Sequence, residues 1–502
     1  MAYLLGIDIG TSGTKTVLFD TSGRPVCDAL AEYPLYQPYP GWAEQNPDDW
    51  WNATVETVHS VLERSGVLPS EVASIGLSGQ MHGLVLLDKN GKVLRPAILW
   101  CDQRTAPQAQ TLTDRFTRER LIAITGNPAV TGFTASKILW VQENEPEVFA
   151  KCAQILLPKD YIRYKLTGIF ATEVSDASGT QLLDVPARKW SPTMLEGLSI
   201  DASLLPPVFE SPEISGKVSL PAAALTGLLQ GTPVAGGAGD QAAGAVGNGI
   251  VEQGVVSVTI GSSGVVFAHT DQLTIDPMGR LHTLCHAVPG CWHVMGVTQA
   301  AGLSLKWFKD EFCAAEIEAA AQLSVDPYVL LDQQAALSPL GCNGLFFLPY
   351  LMGERTPHLD PAARGVFFGL SAIHKRRDLL RAIMEGVSFS LCDCLELIEA
   401  LGLSAGKIRL SGGGSKSVFW RQMLADVFGR SVSAPFQAGG PALGAALLAG
   451  VGVGLYPSVP AACNAVSFDN EPALAPILEN TPLYRTAHKR YQRLYVALKQ
   501  EF

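Results

Sequence analysis

Gly6-Ile7-Asp8-Ile9-Gly10-Thr11-Ser12-Gly13-Thr14-Lys15 is the stretch on which the fold turns. It closes an apolar run that opens at Tyr3, and Thr16 to Phe19 continues beyond it to a turn at Asp20 to Gly23. That pattern is two strands joined by a glycine-rich tip. The tip recurs: Val255 to Ile260 is a second strand-like run, Gly261-Ser262-Ser263-Gly264 repeats the Gly-hydroxyl-Ser-Gly order, and Val265 to Ala268 returns. Gly10 and Gly261 stand 251 residues apart in a chain of 502. Half the chain length is the spacing of a duplicated domain. The expected architecture is therefore α/β, with two copies of one unit facing each other, residues 1–249 and 250–502.

The intervening sequence fills in this plan. Asn46-Pro47-Asp48-Asp49 starts a helix that carries Trp50, Trp51, Val55, Val58 and Leu62 at helical spacing and stops at Gly66. Glu71 to Ser78 predicts a strand entering the loop Gly79 to Gly83. Asn90-Gly91 predicts a hairpin turn between Leu84–Asp88 and Lys92–Leu99. In the second half, Asp378 to Leu401 predicts a long helix closed by Gly402, and Lys407 to Leu410 a strand. Gly412 to Gly414 follow it, and a helix begins near Ser417. Residues 249–254 lack a Ser/Pro-rich linker, so the halves are expected to be closely coupled, as a hinge requires.

Lys and Arg number 37 against 47 Asp and Glu, a net charge of −10. Such a surface repels nucleic acid and anionic lipid, so neither is an expected partner. A nucleotide would have to be held by local N–H groups, a few cations and a metal ion. The start of the chain carries no positive n-region, and the charge-free stretches after Lys217 and Arg430 are broken by Pro, Gly, Gln and Ser. Neither a signal peptide nor a membrane span is expected. Ten irregularly spaced cysteines fit a reducing cytoplasm rather than a disulfide framework. His282, Cys285, His286, Cys291 and His293 match no common zinc spacing, and Pro289-Gly290 places them on a hairpin, so they are read as structural.

Four groups of residues carry chemistry. Asp8 at a strand end can organise Mg²⁺ while Gly10, Thr11, Ser12, Gly13 and Lys15 meet phosphate oxygens. The loop is neither a Walker A motif nor a Rossmann turn, because Lys15 follows Thr14 and a strand follows the tip. Asp240, alone among the small residues Gly236 to Gly244, is a candidate general base, compatible with a second role capping the helix Gln241 to Val246. Met81 and His82 at a strand end suit a small polar ligand with an apolar face, and Arg104 offers a charge pair nearby or else a surface salt bridge. Gly412 to Gly414, followed by Ser415 and Ser417, allow a planar base to lie on bare backbone, with Gly439-Gly440-Pro441 completing that wall.

Taken together, GIDIGTSGTK, SGQMHG, RPAILWCDQR, TGFTASKILW, LLPKDYIRYKLTG, GDQAAGAVG, IGSSG, FLPYLMGERTPH, GVFFGL, SGGGS and GPALGAA resemble the FGGY sugar kinases, most closely the xylulokinase branch. They cover residues 4 to 450 in order. The resemblance implies two duplicated ribonuclease-H-like domains of the actin and hexokinase type with a deep interdomain cleft, and ATP-dependent phosphorylation of a ketopentose. It further implies Asp240 as the base, Asp8 and Asp240 near Mg²⁺ (through water), and Met81, His82, Asp240, Gln241 and Arg104 on the sugar. ATP is implied at Gly10, Thr11, Ser12, Gly13, Lys15, Gly261, Ser262, Ser263, Gly413, Gly414 and Ser417. Gln241 departs from the Asn of several xylulokinases and bears on the stereochemistry of the sugar. A homodimer is compatible with this reading. The rivals are an actin-like ATPase and a sugar sensor.

Overall fold

The computed structural model describes residues 2–434, 440–466 and 472–502. In the first half β1 (Tyr3–Ile9), β2 (Gly13–Asp20) and β3 (Pro25–Glu32) form an antiparallel meander. β4 (Val72–Gly79) lies parallel to β1 on its other side. β5 (Ile214–Lys217) forms an edge against β6 (Pro233–Ala235), β6 runs parallel to β4, and β7 (Ala238–Gly239) joins the far end of β4. The second half repeats the scheme with β8 (Val255–Ile260), β9 (Gly264–Thr270), β10 (His282–Cys285), β11 (Trp292–Thr298), β12 (Lys407–Ser411) and β13 (Val432–Ser433). Its order β11-β9-β8-β12-β13 reproduces β3-β2-β1-β4-β6. Three antiparallel strands followed by two parallel ones, twice, make the ribonuclease-H-like duplicate.

Local chemistry explains the helices. α1 (Pro47–Ser65) begins where Asn46 Oδ1 accepts from the Asp48 amide at 3.2 Å and ends at Gly66 with φ +66°. Its apolar face, Trp50, Trp51, Val58 and Leu62, joins the core of the first sheet. α2 (Thr134–Asn144) lies in the insertion between β4 and β5. α3 (Asp240–Gly247) follows β7, α4 (Gly302–Phe312) follows β11, and α5 (Pro327–Ala336) precedes the long α6 (Arg376–Ala400). α7 (Val418–Phe428) is capped by Ser417, whose Oγ accepts from the Trp420 amide at 2.9 Å. No helix among the described residues is long and apolar enough to cross a membrane.

The halves are coupled through α3 and α8 (Gly440–Gly452). A Cβ on Gly444 would stand 1.8 Å from the Ala243 carbonyl oxygen, so the helices touch backbone to backbone. Each also packs on the opposite sheet. Ala245 of α3 joins Val255, Val265 and Phe267, while α8 lies so close to β1 and β4 that a Cβ on Gly6 or Gly76 would meet Ala442 or Ala445 oxygen at 2.0 and 1.8 Å.

One local expectation holds in part. The Asn90-Gly91 turn forms, with Asp88 and Lys92 bonded at 2.9 Å, but the ladder is interrupted after Leu94 donates to Leu86 and resumes out of register where Leu84 donates to Ile98 at 3.0 Å. The next donor in that register is position 96, a proline without an N–H. Val85–Leu87 also pairs with Gln154–Leu156, and Ala97–Ile98 with Glu44–Gln45.

Candidate active site

Three strand ends converge on one spot. Asp8 on β1 pairs in register with Ser78 on β4, and Ala238 on β7 pairs with the same Ser78 from the other side. Asp240 follows β7 directly as the first residue of α3. The helix is capped by Gly239, not by Asp240, so the capping role expected for this carboxylate is not the one it has. Its Oδ1 accepts from Gln241 Nε2 at 3.4 Å. The chain reaches this point through Gly237, whose φ of +69° and near contact with Leu77 oxygen (2.0 Å from a built Cβ) admit no side chain.

A buried ionic network backs the loop that delivers Asp240. The Arg163 guanidinium donates to the Gly236 carbonyl, the Gly239 amide donates to Ser175 Oγ at 3.1 Å, and the Ser175 hydroxyl donates to Glu173 at 2.9 Å. Lys159 Nζ stands 2.8, 3.3 and 3.0 Å from Asp160, Glu173 and Asp176, all fully buried. Sequence reasoning passed over these residues. The signal available was a run of alternating charge, Lys159-Asp160 then Arg163, inside an otherwise apolar segment.

Burial, reinforced by the charge of Asp8, pushes the Asp240 carboxyl up to about 7. Burial likewise raises Asp8 to about 6, against the pull of Ser78 and Lys15. Two buried acids, Asp240 raised further by the charge of Asp8 and Asp8 with a buried Oδ1 lacking any partner among the described residues, fit an oxygen-ligated divalent cation. A cation there would favour both ionised forms.

Each glycine tip has its carbonyls turned away from the cleft. At the first, Gly10 oxygen accepts from Tyr33 Oη at 2.6 Å and Gln80 Nε2 at 3.3 Å, and Thr11 oxygen from Gln45 Nε2 at 2.7 Å. Ser12 oxygen accepts from the Tyr33 amide at 3.2 Å. The amides of Thr11 and Ser12 find no protein partner among the described residues. At the second tip, the amides of Ala301, Gly302 and Leu303, where α4 begins, donate to Ser262, Gly261 and Ser262 oxygens at 2.9, 2.8 and 3.1 Å. Lys15 stands opposite Asp8 in the ladder and on its face. Its only ion pair among the described residues is an exposed 4.0 Å contact with Asp28, which leaves it available.

Met81 lies against the residue that precedes Asp240, and His82 follows Met81 in the chain. Met81 is buried against Gly239. His82 has φ +68°, uncommon outside glycine, and its ring stacks on Phe133 at 4.4 Å. Nδ1 lies 2.7 Å from the Gly179 carbonyl and must donate, so Nε2 is the acceptor. Burial, then the Lys137 and Arg355 charges, hold the imidazole neutral. Lys137 of α2 donates to the His82 and Gly132 carbonyls, both at 2.8 Å, and burial lowers it to about 7. Arg355 reaches this wall from the second half: its guanidinium would lie 3.4 Å from a Cβ built on Gly132. Neither cation was singled out from sequence, though a lone lysine ahead of Ile138 to Val141 was a signal.

Arg104 is a correction. Its side chain is 1% exposed, paired with Asp102 at 2.6 Å and Glu44 at 2.7 Å, with its guanidinium 3.5 Å over the Trp42 ring. Two carboxylates and an indole hold the group, so it is a buried ion pair and not a surface salt bridge.

Behind the second tip lies a cavity of about 400 Å³ lined by Ser262, Lys306, Tyr328, Asp332, Gly413 and Ser417, among others. The three glycines have different duties. Gly412 (φ +81°) and Gly414 press against Ile260, whereas a Cβ on Gly413 would meet nothing within 4 Å. Gly413 therefore supplies the bare surface. Gly414 and Ser417 also line the cavity, and Gly439 lies outside the described residues.

Comparison with known proteins agrees with this geometry. Residues 3–247 match the N-terminal domain model of the FGGY family of carbohydrate kinases, and residues 256–453 its C-terminal domain model. The chain is 41% identical over 499 residues to a xylulose kinase of Bacillus subtilis (strain 168), covering 99% of this chain and 98% of the relative. It is 39% identical to a xylulose kinase of Escherichia coli (strain K12), covering 98% and 99%. The crystal structure of xylulose kinase from Rhodospirillum rubrum superposes with a TM-score of 0.90 at 31% identity, covering 99% of each chain. With both family domains matched in order over the two halves, this chain belongs to the FGGY family of carbohydrate kinases.

Proposed function

We propose that the protein transfers the γ-phosphoryl group of ATP to D-xylulose, giving D-xylulose 5-phosphate and ADP, with Asp240 as general base. The observation that carries this is the buried pair of Asp240 and Asp8 at three converging strand ends, with Met81 packed against Gly239 and the Gly10 to Gly13 tip continuing the strand that carries Asp8. The relatives with xylulose kinase names support the choice of sugar.

In this reading the ketose lies against Met81, with a hydroxyl donating to His82 Nε2. Adenosine occupies the cavity over Gly413, and the phosphates run past Ser262 and Ser263 toward Gly10 to Gly13 and Lys15. Closure about α3 and α8 excludes water and brings the terminal hydroxyl in line with the γ-phosphorus. The hydroxyl oxygen forms the new P–O bond, its proton passes to Asp240, and the bond to the β-phosphate oxygen breaks with its electron pair leaving on ADP. The tip amides and Lys15 hold the charge that develops on the phosphoryl oxygens. Asp8 and Asp240 are the residues that would hold Mg²⁺, which when bound neutralises the β- and γ-phosphates. We place the enzyme in the cytoplasm, where ten free cysteines, six of them buried, stay reduced.

The test is ADP release from Mg·ATP with D-xylulose, L-xylulose, D-ribulose, L-ribulose, glycerol and gluconate, beside a control without sugar. D-xylulose is expected to give the highest kcat/KM. A second reading, a different ketose or polyol, draws on Gln241, whose amide reaches the Asp240 carboxylate, and on 33% identity to a gluconokinase of Bacillus subtilis (strain 168). Preference for another sugar establishes that reading, and ADP release independent of any sugar returns the actin-like ATPase.

A further inference from the structure

At the end of the second sheet farthest from its glycine tip, two strands present ligating side chains on one face. His269 and His293 are direct partners in the β9–β11 ladder, and Thr270 faces Trp292. The same register places Asp271 opposite Cys291. Side chains alternate along a strand, so His269, Asp271, Cys291 and His293 share one face, two by two.

A ring nitrogen of His269, a carboxylate oxygen of Asp271 and Cys291 Sγ all lie within 4.8 Å of one another. His269 Nε2 is 2.9 Å and Cys291 Sγ 4.0 Å from the same Asp271 oxygen. Donors placed ~2.0–2.3 Å from a tetrahedral zinc are separated by roughly these distances. His269 Nδ1 is buried without a hydrogen bond among the described residues, and Nε2 is the nitrogen that faces Asp271. The adjoining His286 differs, since Nε2 meets the Ile250 carbonyl at 3.0 Å and Nδ1 accepts from the Val288 amide at 3.1 Å. It is satisfied and offers no ligand. Asp271 is exposed and Cys291 half-buried, so an ion has a way in.

We propose that His269, Asp271 and Cys291 bind a borderline transition-metal dication of the zinc class, with solvent completing a four-coordinate shell. Binding displaces the Cys291 thiol proton to solvent as the sulfur–metal bond forms. The strand length puts the site about 20 Å from the second tip, away from the phosphoryl-transfer centre. Its place in the fold gives it a mechanical role. Arg188 of the first half donates to the Cys291 carbonyl at 2.8 Å, and Trp292 Nε1 donates to the Val185 carbonyl at 3.0 Å, so the metal would fix the hairpin that joins the two halves. The other cluster of this kind, Cys392, Glu396 and His488, is a weaker candidate because His488 Nε2 is already held by Asp393 at 2.8 Å.

The test is titration of the chelator-treated full chain with Co²⁺, read by absorption. One equivalent is expected to produce a thiolate-to-cobalt charge-transfer band and the d–d intensity of tetrahedral cobalt, both displaced by Zn²⁺, with a rise in Tm. Cys291→Ser should abolish the charge-transfer band, and His269→Gln should weaken binding at least the ~10–100-fold that an outer-sphere partner is worth. Circular dichroism of each variant confirms folding. Absence of the band in the folded wild-type chain, its persistence in Cys291→Ser, or its loss only in Cys392→Ser would overturn the proposal.

Discussion

Asp240→Asn should slow the enzyme and stabilise it at the same time. The carboxyl titrates at about 7 instead of the 3.8 of an unburied aspartate, because burial and Asp8 both penalise the charge. Each tenfold step in that equilibrium is 1.36 kcal/mol, so holding Asp240 ionised above pH 7 costs the fold up to about 4 kcal/mol. The native state binds the extra proton between pH 3.8 and 7, and stability from this group falls as pH rises through that window. Asparagine removes the charge without changing the shape. The variant should gain little at pH 4, gain progressively to pH 7, and stay several degrees ahead in Tm at pH 8. Its turnover should drop ~10²–10⁴-fold, the usual worth of a general base, while sugar still shifts Tm. In the wild-type enzyme kcat/KM should fall as pH drops below the Asp240 value, with the midpoint below 7 once a cation offsets the charge of Asp8. Differential scanning fluorimetry from pH 4 to 8 and coupled ADP assays on the same preparation read both arms. A variant no more stable at pH 8 would refute the electrostatic account, and near-normal turnover would refute the assignment of the base.

Other perturbations separate the parts of the site. His82→Leu removes the Nε2 acceptor and should raise KM for the sugar about tenfold, with KM for ATP unchanged in steady-state assays. Lys159→Met leaves Asp160, Glu173 and Asp176 buried beside Arg163 alone, and urea unfolding should show a loss of about 3–5 kcal/mol. Gly444→Ala forces a methyl into the Ala243 carbonyl and should cost about 1–3 kcal/mol. Because the clash lies where α3 crosses α8, small-angle scattering should also show a smaller compaction on adding sugar and nucleotide.

What the sequence disclosed and what it concealed divide along the range of the interaction. The two tips were legible because each is a local pattern, and duplication doubled the signal. Asp240 was legible because a single charge among glycines and alanines has few structural uses. Arg104 misled for the opposite reason. Its neighbours in sequence predict an exposed pair, whereas its fate is set by Glu44 and Trp42, some sixty residues earlier. Lys137 and Arg355 stood within quoted motifs, yet their convergence on His82 needs both halves of the chain in place. The strand register that sets His269 opposite His293 is likewise invisible until β9 and β11 are paired, and His269 lies outside the cluster from His282 to His293 that the sequence brings together. α8 is the sharpest case. From Gly440 to Gly452 nearly every side chain is small or apolar and no polar face marks a direction, so the sequence predicts burial without saying against what. The glycines answer this only as partners: Gly6 and Gly76 are bare where α8 crosses β1 and β4, and Gly444 is bare where it meets α3. A boundary drawn at residue 249 therefore assigns α8 to one half while its packing ties it to the other. That exchange gives each sheet a helix from the other half, so the coupling of the two domains is written into both cores.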